Sequence, residues 1–120
     1  MKAHELLIDK TVWIQGWSAR DKDGKNVPPN SAGAIRFCML GAIEKCYNAD
    51  ALAMKAKLAE HILTNKLLGD NEQKCLTFLL QKRLSHLEGK VKNQVAISSL
   101  NDEKTTTFEA VQSLLKQLDI

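Results

Sequence analysis

Aromatic residues are scarce in this chain. Two tryptophans, one tyrosine and three phenylalanines make up only 5% of its 120 residues. Leu, Ala, Ile and Val must therefore supply most of any core, which favours packed helices. Charge of one sign is lacking too. The 17 basic and 14 acidic residues leave a net charge of +3, with no run of five or more like charges. That balance is too mild to indicate nucleic acid as a partner by itself. No apolar stretch approaches the roughly 18 residues a membrane span needs. The N-terminal segment MKAHELLIDK has no long apolar run of the kind that marks a secretory signal. The expected setting is the cytosol, with no membrane partner. Hydrophobic content of 44% and charged content of 26% describe a soluble globular chain, and its length suits one domain spanning 1–120.

Cysteine is sparse and badly spaced for metal or disulfide chemistry. Cys38, Cys46 and Cys75 form no CxxC pair, so no zinc site is expected. Cys38 and Cys46 share one predicted helix, which separates them by ~12 Å at ~1.5 Å per residue, beyond disulfide reach. They read as buried reduced thiols. No Walker loop, GxGxxG, HExxH or GxSxG occurs. Asp21, Asp23 and Gly24 have the flavour of a calcium loop, but Gly24 follows Asp23 directly. The closing position, where such a loop needs a glutamate, is Ala32. The carboxylate pairs Asp21/Asp23 and Asp102/Glu103 read as solvated or capping groups. No catalytic residue, metal or cofactor is therefore expected. Two rival readings remain. One is a small enzyme pairing Cys75 or Cys38 with a histidine, although His4, His61 and His86 fall on three different predicted helices. The other is a weakly basic nucleic-acid binder using Lys82, Arg83, Lys90 and Lys92, although Glu88 interrupts that set and no aromatics interleave it.

What is present is helical periodicity. The fold expected is all-α: a compact bundle of about five helices, with one long irregular loop or short hairpin between the first two. The first helix is predicted from about Ala3 to Trp13, ending before Gly16. The second should start at an Asn30 or Ser31 cap. Its apolar face is Ile35, Cys38, Met39, Ala42, Ile43 and Cys46, and Ala34, Gly41 and Ala42 are small enough to let another backbone approach. The third is predicted over about Asp50 to Leu68. Leu52, Ala56, Ala59, Ile62, Leu63 and Leu67 form its buried stripe, and Lys55, Lys57, Glu60 and Lys66 lie outside. The fourth begins near Asp70, with Leu76, Leu79, Leu80, Leu84 and Leu87 inward, and ends at Gly89 or continues through Val95. SSLNDEKTTTF reads as a polar break. Thr106 and Glu109 then have capping-box spacing before a last amphipathic helix carrying Phe108, Val111, Leu114, Leu115 and Leu118.

The segment Val12 to Pro29 stands apart. It holds both tryptophans, both prolines and two of the six glycines. Asp23-Gly24 is a turn dipeptide, and Ser18–Arg20 with Asn26–Val27 could form the arms of a short hairpin. Pro28-Pro29 stiffens the exit. Trp and Arg are preferred interface anchors because they join large area to directed polar contacts. Trp17, Arg20, Lys22 and Lys25 are accordingly the candidate partner contacts, with Lys82 and Arg83 as a second basic patch. Trp13 is expected to pack inward at the helix-to-loop junction. Arg20 has a competing structural role, pinning the loop to Asp21, Asp102 or a helix C-terminus.

Trp13, Gly16, Ala19-Arg20-Asp21, Gly24 and Val27, followed by Arg36-Phe37-Cys38 and Gly41-Ala42-Ile43, resemble the pattern of a small bacterial family of uncharacterised helical proteins. Its members read W-x-x-G-x-x-A-R-D-x-x-G and then an aromatic-Cys-x-x-Gly-Ala-aliphatic helix. Asn101-Asp102, Thr107 and the Phe108–Leu118 helix complete the match. Leu100 stands where the family often has an aromatic, and the resemblance does not reach Asn48 to Lys92. It implies that Trp13, Gly16, Asp21, Gly24, Cys38, Gly41, Asn101 and Asp102 are mainly structural. Size, lysine-rich style and motif also look like those of a small Legionella protein that binds and inhibits the paired ubiquitin deamidase/transglutaminase effectors MavC and MvcA. That likeness implies a non-enzymatic inhibitor that covers a surface its target would use for ubiquitin-loaded substrate. It would act in the bacterial cytoplasm or, if delivered as an effector, in the host cytosol. A partly uncovered apolar helix face would also support a homodimer.

Overall fold

The computed structural model describes residues 1–63 and 88–120. Those residues form five helices and a two-stranded antiparallel sheet: α1 (Ala3–Leu6), β1 (Ala19–Arg20), β2 (Arg36–Phe37), α2 (Met39–Tyr47), α3 (Ala51–Leu63), α4 (Gly89–Asp102) and α5 (Phe108–Gln117). A 3₁₀ turn, Asn48–Asp50, joins α2 to α3. The predicted fourth helix lies outside the described residues from Asp70 to Leu87, as do Cys75, Lys82, Arg83 and His86; at its predicted end Glu88 is extended and Gly89 opens the next helix. The fold is therefore mainly helical with a small sheet in the region where a loop or short hairpin was expected, although the strand paired with Ala19–Arg20 is Arg36–Phe37 rather than Asn26–Val27.

The first helix ends at Leu6, seven residues before Trp13. Asp9 ends the run locally: its carboxylate accepts the Thr11 backbone N–H at 2.8 Å and is also bonded by the Thr11 hydroxyl, an Asx-type turn that competes with helix. Beyond it the β-branched Val12 and Ile14 run extended. Phe37 N–H donates to Val12 O at 2.7 Å and Ile14 N–H to Phe37 O at 3.1 Å, which makes Trp13 and Phe37 a parallel bridge.

This recruitment of Arg36-Phe37 also shortens the second helix, which starts at Met39 rather than at Asn30 or Ser31. Ala19 pairs with Phe37 and Arg20 with Arg36. The arm expected opposite Ala19–Arg20 is present in reduced form, as the Arg20–Asn26 bridge. Arg20 thus lies between two neighbours in a short sheet. Ile35, assigned to a helical apolar face, sits outside the helix and is exposed. Cys38, Met39, Ala42 and Ile43 of the same face are buried.

α2 sits centrally, against α1, α3 and α4, while α3 packs chiefly on α4. Leu7, Met39, Ile43, Leu58, Ile62, Ile97, Leu115 and Ile120 are among the largest fully buried side chains of the common core. The face of α3 is rotated from its predicted position. Leu52 and Ala56 are exposed, and Ala51, Lys55, Leu58, Ala59 and Ile62 are buried. Lys55 can point inward because Glu44 of α2 meets its ammonium at 2.7 Å.

SSLND is the end of α4 and not a break. Gly89, with φ of +60°, opens that helix, and Ala96, Ile97, Leu100 and Asn101 form its buried side. α5 falls where predicted, with Phe108, Val111, Leu114 and Leu115 buried. Its cap is Thr107, whose hydroxyl accepts the Ala110 N–H at 3.1 Å. Thr106, expected in that role, is buried and donates to Leu100 O at 2.7 Å, closing the turn between α4 and α5.

Candidate protein-binding site

Asn101 organises the region around the loop. Its side chain is fully buried. Oδ1 accepts from Trp13 Nε1 at 2.8 Å and from the Met39 backbone N–H at 3.0 Å. Nδ2 donates to Ile14 O at 3.0 Å and to Asp102 Oδ1 at 2.9 Å. Two donors face the oxygen and two acceptors face the nitrogen, so the amide orientation follows from its partners and its capacity is filled. One amide thereby joins the loop, the first turn of α2 and the end of α4. Gln15 strengthens the seam by donating from Nε2 to Asn101 O at 2.9 Å and Glu103 O at 3.1 Å. Gly16 N–H donates to Asp102 Oδ1 at 2.9 Å. Trp13 packs inward, its ring centroid 6.5 Å from that of Phe108.

Cys38 caps α2. Its sulfur accepts the Gly41 N–H at 3.3 Å. Burial pushes the thiol above its ordinary value, and the carboxylate of Asp102 adds to that rise. The backbone of Ser18 crosses α2 at Gly41, where a Cβ would stand 1.9 Å from Ser18 O. Cys38 N–H donates to that same carbonyl at 3.1 Å. Gly41 therefore admits the loop's own backbone, while Ala34, predicted to share that role, lies outside the helix.

Beyond the seam, Asp21 builds the tip. Its Oδ1 accepts the N–H groups of Asp23 and Lys25, both at 2.9 Å. Its carbonyl accepts Gly24 N–H, and its own N–H donates to Lys25 O, both at 3.0 Å. Gly24 has φ of +80°, which the turn requires and which a side chain rarely adopts. Arg20 is held from two sides: Nε donates to Asn26 Oδ1 at 3.1 Å and Nη2 to Gln15 O at 3.4 Å. It forms no bond to Asp21 or Asp102 and serves the loop's internal structure. Lys22 and Lys25 are exposed at the tip.

Trp17 is 51% exposed. It forms one wall of a cleft of about 250 Å³, shared with Gly16, Ser18, Cys38, Ser98 and Asp102. The cleft brings together three residues expected to be structural, Gly16, Cys38 and Asp102, with the indole expected to contact a partner. Ser18 and Ser98 were not singled out by sequence; nothing in their local pattern marks them, and only the crossing of the loop over α2 and α4 makes them neighbours. The described residues that line the cleft supply a thiol and a carboxylate but no imidazole. Among the described residues, no cluster of three or more His, Cys, Asp or Glu side chains could hold a metal ion, and no helix is long and apolar enough to cross a membrane.

Comparison with protein families matches residues 1–118 to a family of unknown function, DUF6197. The chain belongs to the DUF6197 family. The match runs through Asn48 to Lys92, the stretch that the sequence pattern left uncovered. No curated protein and no solved structure matches the chain. For this DUF6197 member the geometry itself must carry the functional argument. The motif residues Trp13, Gly16, Cys38, Gly41, Asn101 and Asp102, drawn from both ends of the chain, converge on one seam.

Proposed function

We propose that this protein is a non-enzymatic protein-binding module that uses the Val12–Pro29 loop as its docking surface. The observation that carries this reading is the half-exposed Trp17 on a backbone fixed on both sides. Gly16 is tied to Asp102, and Cys38 N–H is bonded to Ser18 O. An indole held out by such bonds loses little freedom when a partner covers it, so more of its burial appears as affinity. Truncating a desolvated aromatic anchor of this kind costs about 2 kcal/mol or more. Lys22 and Lys25, exposed at the bonded tip, extend the surface. Arg20 supports it from within. Burial raises the pKa of Cys38 and so disfavours its thiolate, the form a nucleophile needs, which supports binding over chemistry at this residue.

The resemblance to the small Legionella inhibitor supplies a specific target class: bacterial ubiquitin deamidase/transglutaminase effectors such as MavC and MvcA, inhibited by blocking substrate access. Purified MavC or MvcA, mixed with this protein at micromolar concentration and assayed for ubiquitin deamidation, tests that target. A complex with loss of deamidation is the expected result; no complex removes the target. The Trp17→Ala/Lys22→Ala variant tests the surface. It should stay folded and bind at least tenfold more weakly, and unchanged binding removes the loop as the contact.

A further inference from the structure

We infer that the cleft beside Trp17 receives a basic side chain of a partner protein, a lysyl ammonium or an arginyl guanidinium. This rests on the protein-binding reading and adds the chemistry of what is bound. The cleft measures about 250 Å³, below the ~300–1,000 Å³ typical of sites for small molecules and cofactors. Its size suits one side chain. Its walls favour a cation. Trp17 presents a half-exposed indole, whose face attracts positive charge. Opposite the loop stands Asp102, whose Oδ1 is fixed by Gly16 N–H and Asn101 Nδ2. Its Oδ2 has no hydrogen-bond or ion-pair partner among the described residues. Two donors therefore fix the carboxylate, one oxygen has no partner among the described residues, and Trp17, Ser18 and Ser98 line the same space. Arg20, the loop's own guanidinium, does not fill it: that group is bonded to Asn26 and Gln15 and is not among the residues lining the cleft.

An incoming alkyl stem would lie along the indole, with its charged head at Asp102 Oδ2. An anion or a neutral group would meet the carboxylate unfavourably or gain nothing from it. The site thus selects the sign of charge on the partner's side chain at this point.

The test uses the full chain and small probes. Butylammonium and propylguanidinium stand for the two side chains, and n-butanol is the uncharged control. The indole N–H resonances of Trp17 and Trp13 are followed by NMR. A saturable shift of the Trp17 signal by either cation, at least fivefold weaker with n-butanol, supports the inference. The shift should be lost in Asp102→Asn, which keeps an oxygen for the Gly16 and Asn101 donors while removing the charge. An unmoved Trp13 signal in that variant reports that the seam has stayed intact. Trp17→Leu, read through the Gly16 amide, should lower cation affinity by about five- to tenfold and provides a second route should Asp102→Asn not fold. No saturable shift, an equal shift with n-butanol, or undiminished cation binding in either folded variant overturns it. Parallel binding of the wild type to MavC or MvcA separates the two readings. An effector complex without a cation response removes the cleft's role and leaves the binding module. A cation response without an effector complex supports the cleft and removes only that target.

Discussion

At the residue scale, the sharpest constraint is the missing side chain at Gly41. Ser18 O would be 1.9 Å from a Cβ there, and the obstacle is backbone, which cannot rotate aside. That carbonyl is itself anchored by Cys38 N–H, so relief requires moving the loop off α2. Gly41→Ala should therefore destabilise the protein by about 3 kcal/mol or more, read as a fall in the denaturant midpoint at unchanged slope. Gly33→Ala is the matched control. Its Cβ would meet only Asp21 Cβ at 3.9 Å, an ordinary contact, and its effect should stay within about 1 kcal/mol. If the two variants melted alike, the close approach of Ser18 to α2 would not exist in solution.

At the scale of elements, burial on α3 depends on a neighbour that its own periodicity cannot reveal. Lys55 is only 6% exposed, although helical spacing placed it on the outer side and put Leu52 and Ala56 within. Glu44, contributed by α2, reverses that preference by meeting the ammonium at 2.7 Å. Removing the acid strands a buried cation, whereas replacing the lysine with an apolar chain removes the charge itself. Glu44→Ala should cost about 1–2 kcal/mol, moderated because the Glu44 side chain retains 32% exposure. Lys55→Met should be neutral or stabilising in the same urea titration. The opposite order would show that the ammonium reaches water and that the predicted face was correct.

The same contrast explains what was legible in the sequence. α5 was readable because Phe108, Val111, Leu114 and Leu115 repeat on one face over a complete helix. α2 was readable from Cys38 onward for the same reason. The two-residue strands carry no usable period, and Arg36-Phe37 left the predicted helix because Val12, Ile14 and Ala19 offered partners distant in sequence. Ser98 to Asp102 looked like a break because they are polar, yet Asn101 is buried by finding four partners at once. Of the candidate site, the loop and its exposed indole could be anticipated from composition. The cleft could not, because Ser18, Cys38 and Ser98 meet only when three segments cross.

At the scale of the whole molecule, a polar junction beside the apolar core fastens together segments distant in the chain. Trp13-Ile14, Met39 and Asn101-Asp102 lie far apart in the chain, and the Asn101 amide touches all three segments. Buried polar groups of this kind contribute modestly when paired and cost about 1–3 kcal/mol each when one partner is removed. Asn101→Leu leaves the Met39 N–H, the Trp13 indole N–H and the Ile14 carbonyl without their partner, and it adds a branched side chain where a planar amide fitted. The expected loss is about 3–5 kcal/mol, less than the plain sum because the Trp13 N–H can turn towards water. That is a large fraction of the stability of a domain this size. Hydrogen exchange distinguishes the mechanism from a general loss of packing. The Met39 amide and the Trp13 indole N–H should lose protection in Asn101→Leu by more than the amides within α5, which makes no hydrogen bond to the Asn101 side chain. Uniform loss across all three would mean that Asn101 acts only through global stability. Selective loss would mean that it fastens the loop to the bundle, and hence sets the rigidity with which Trp17 is presented.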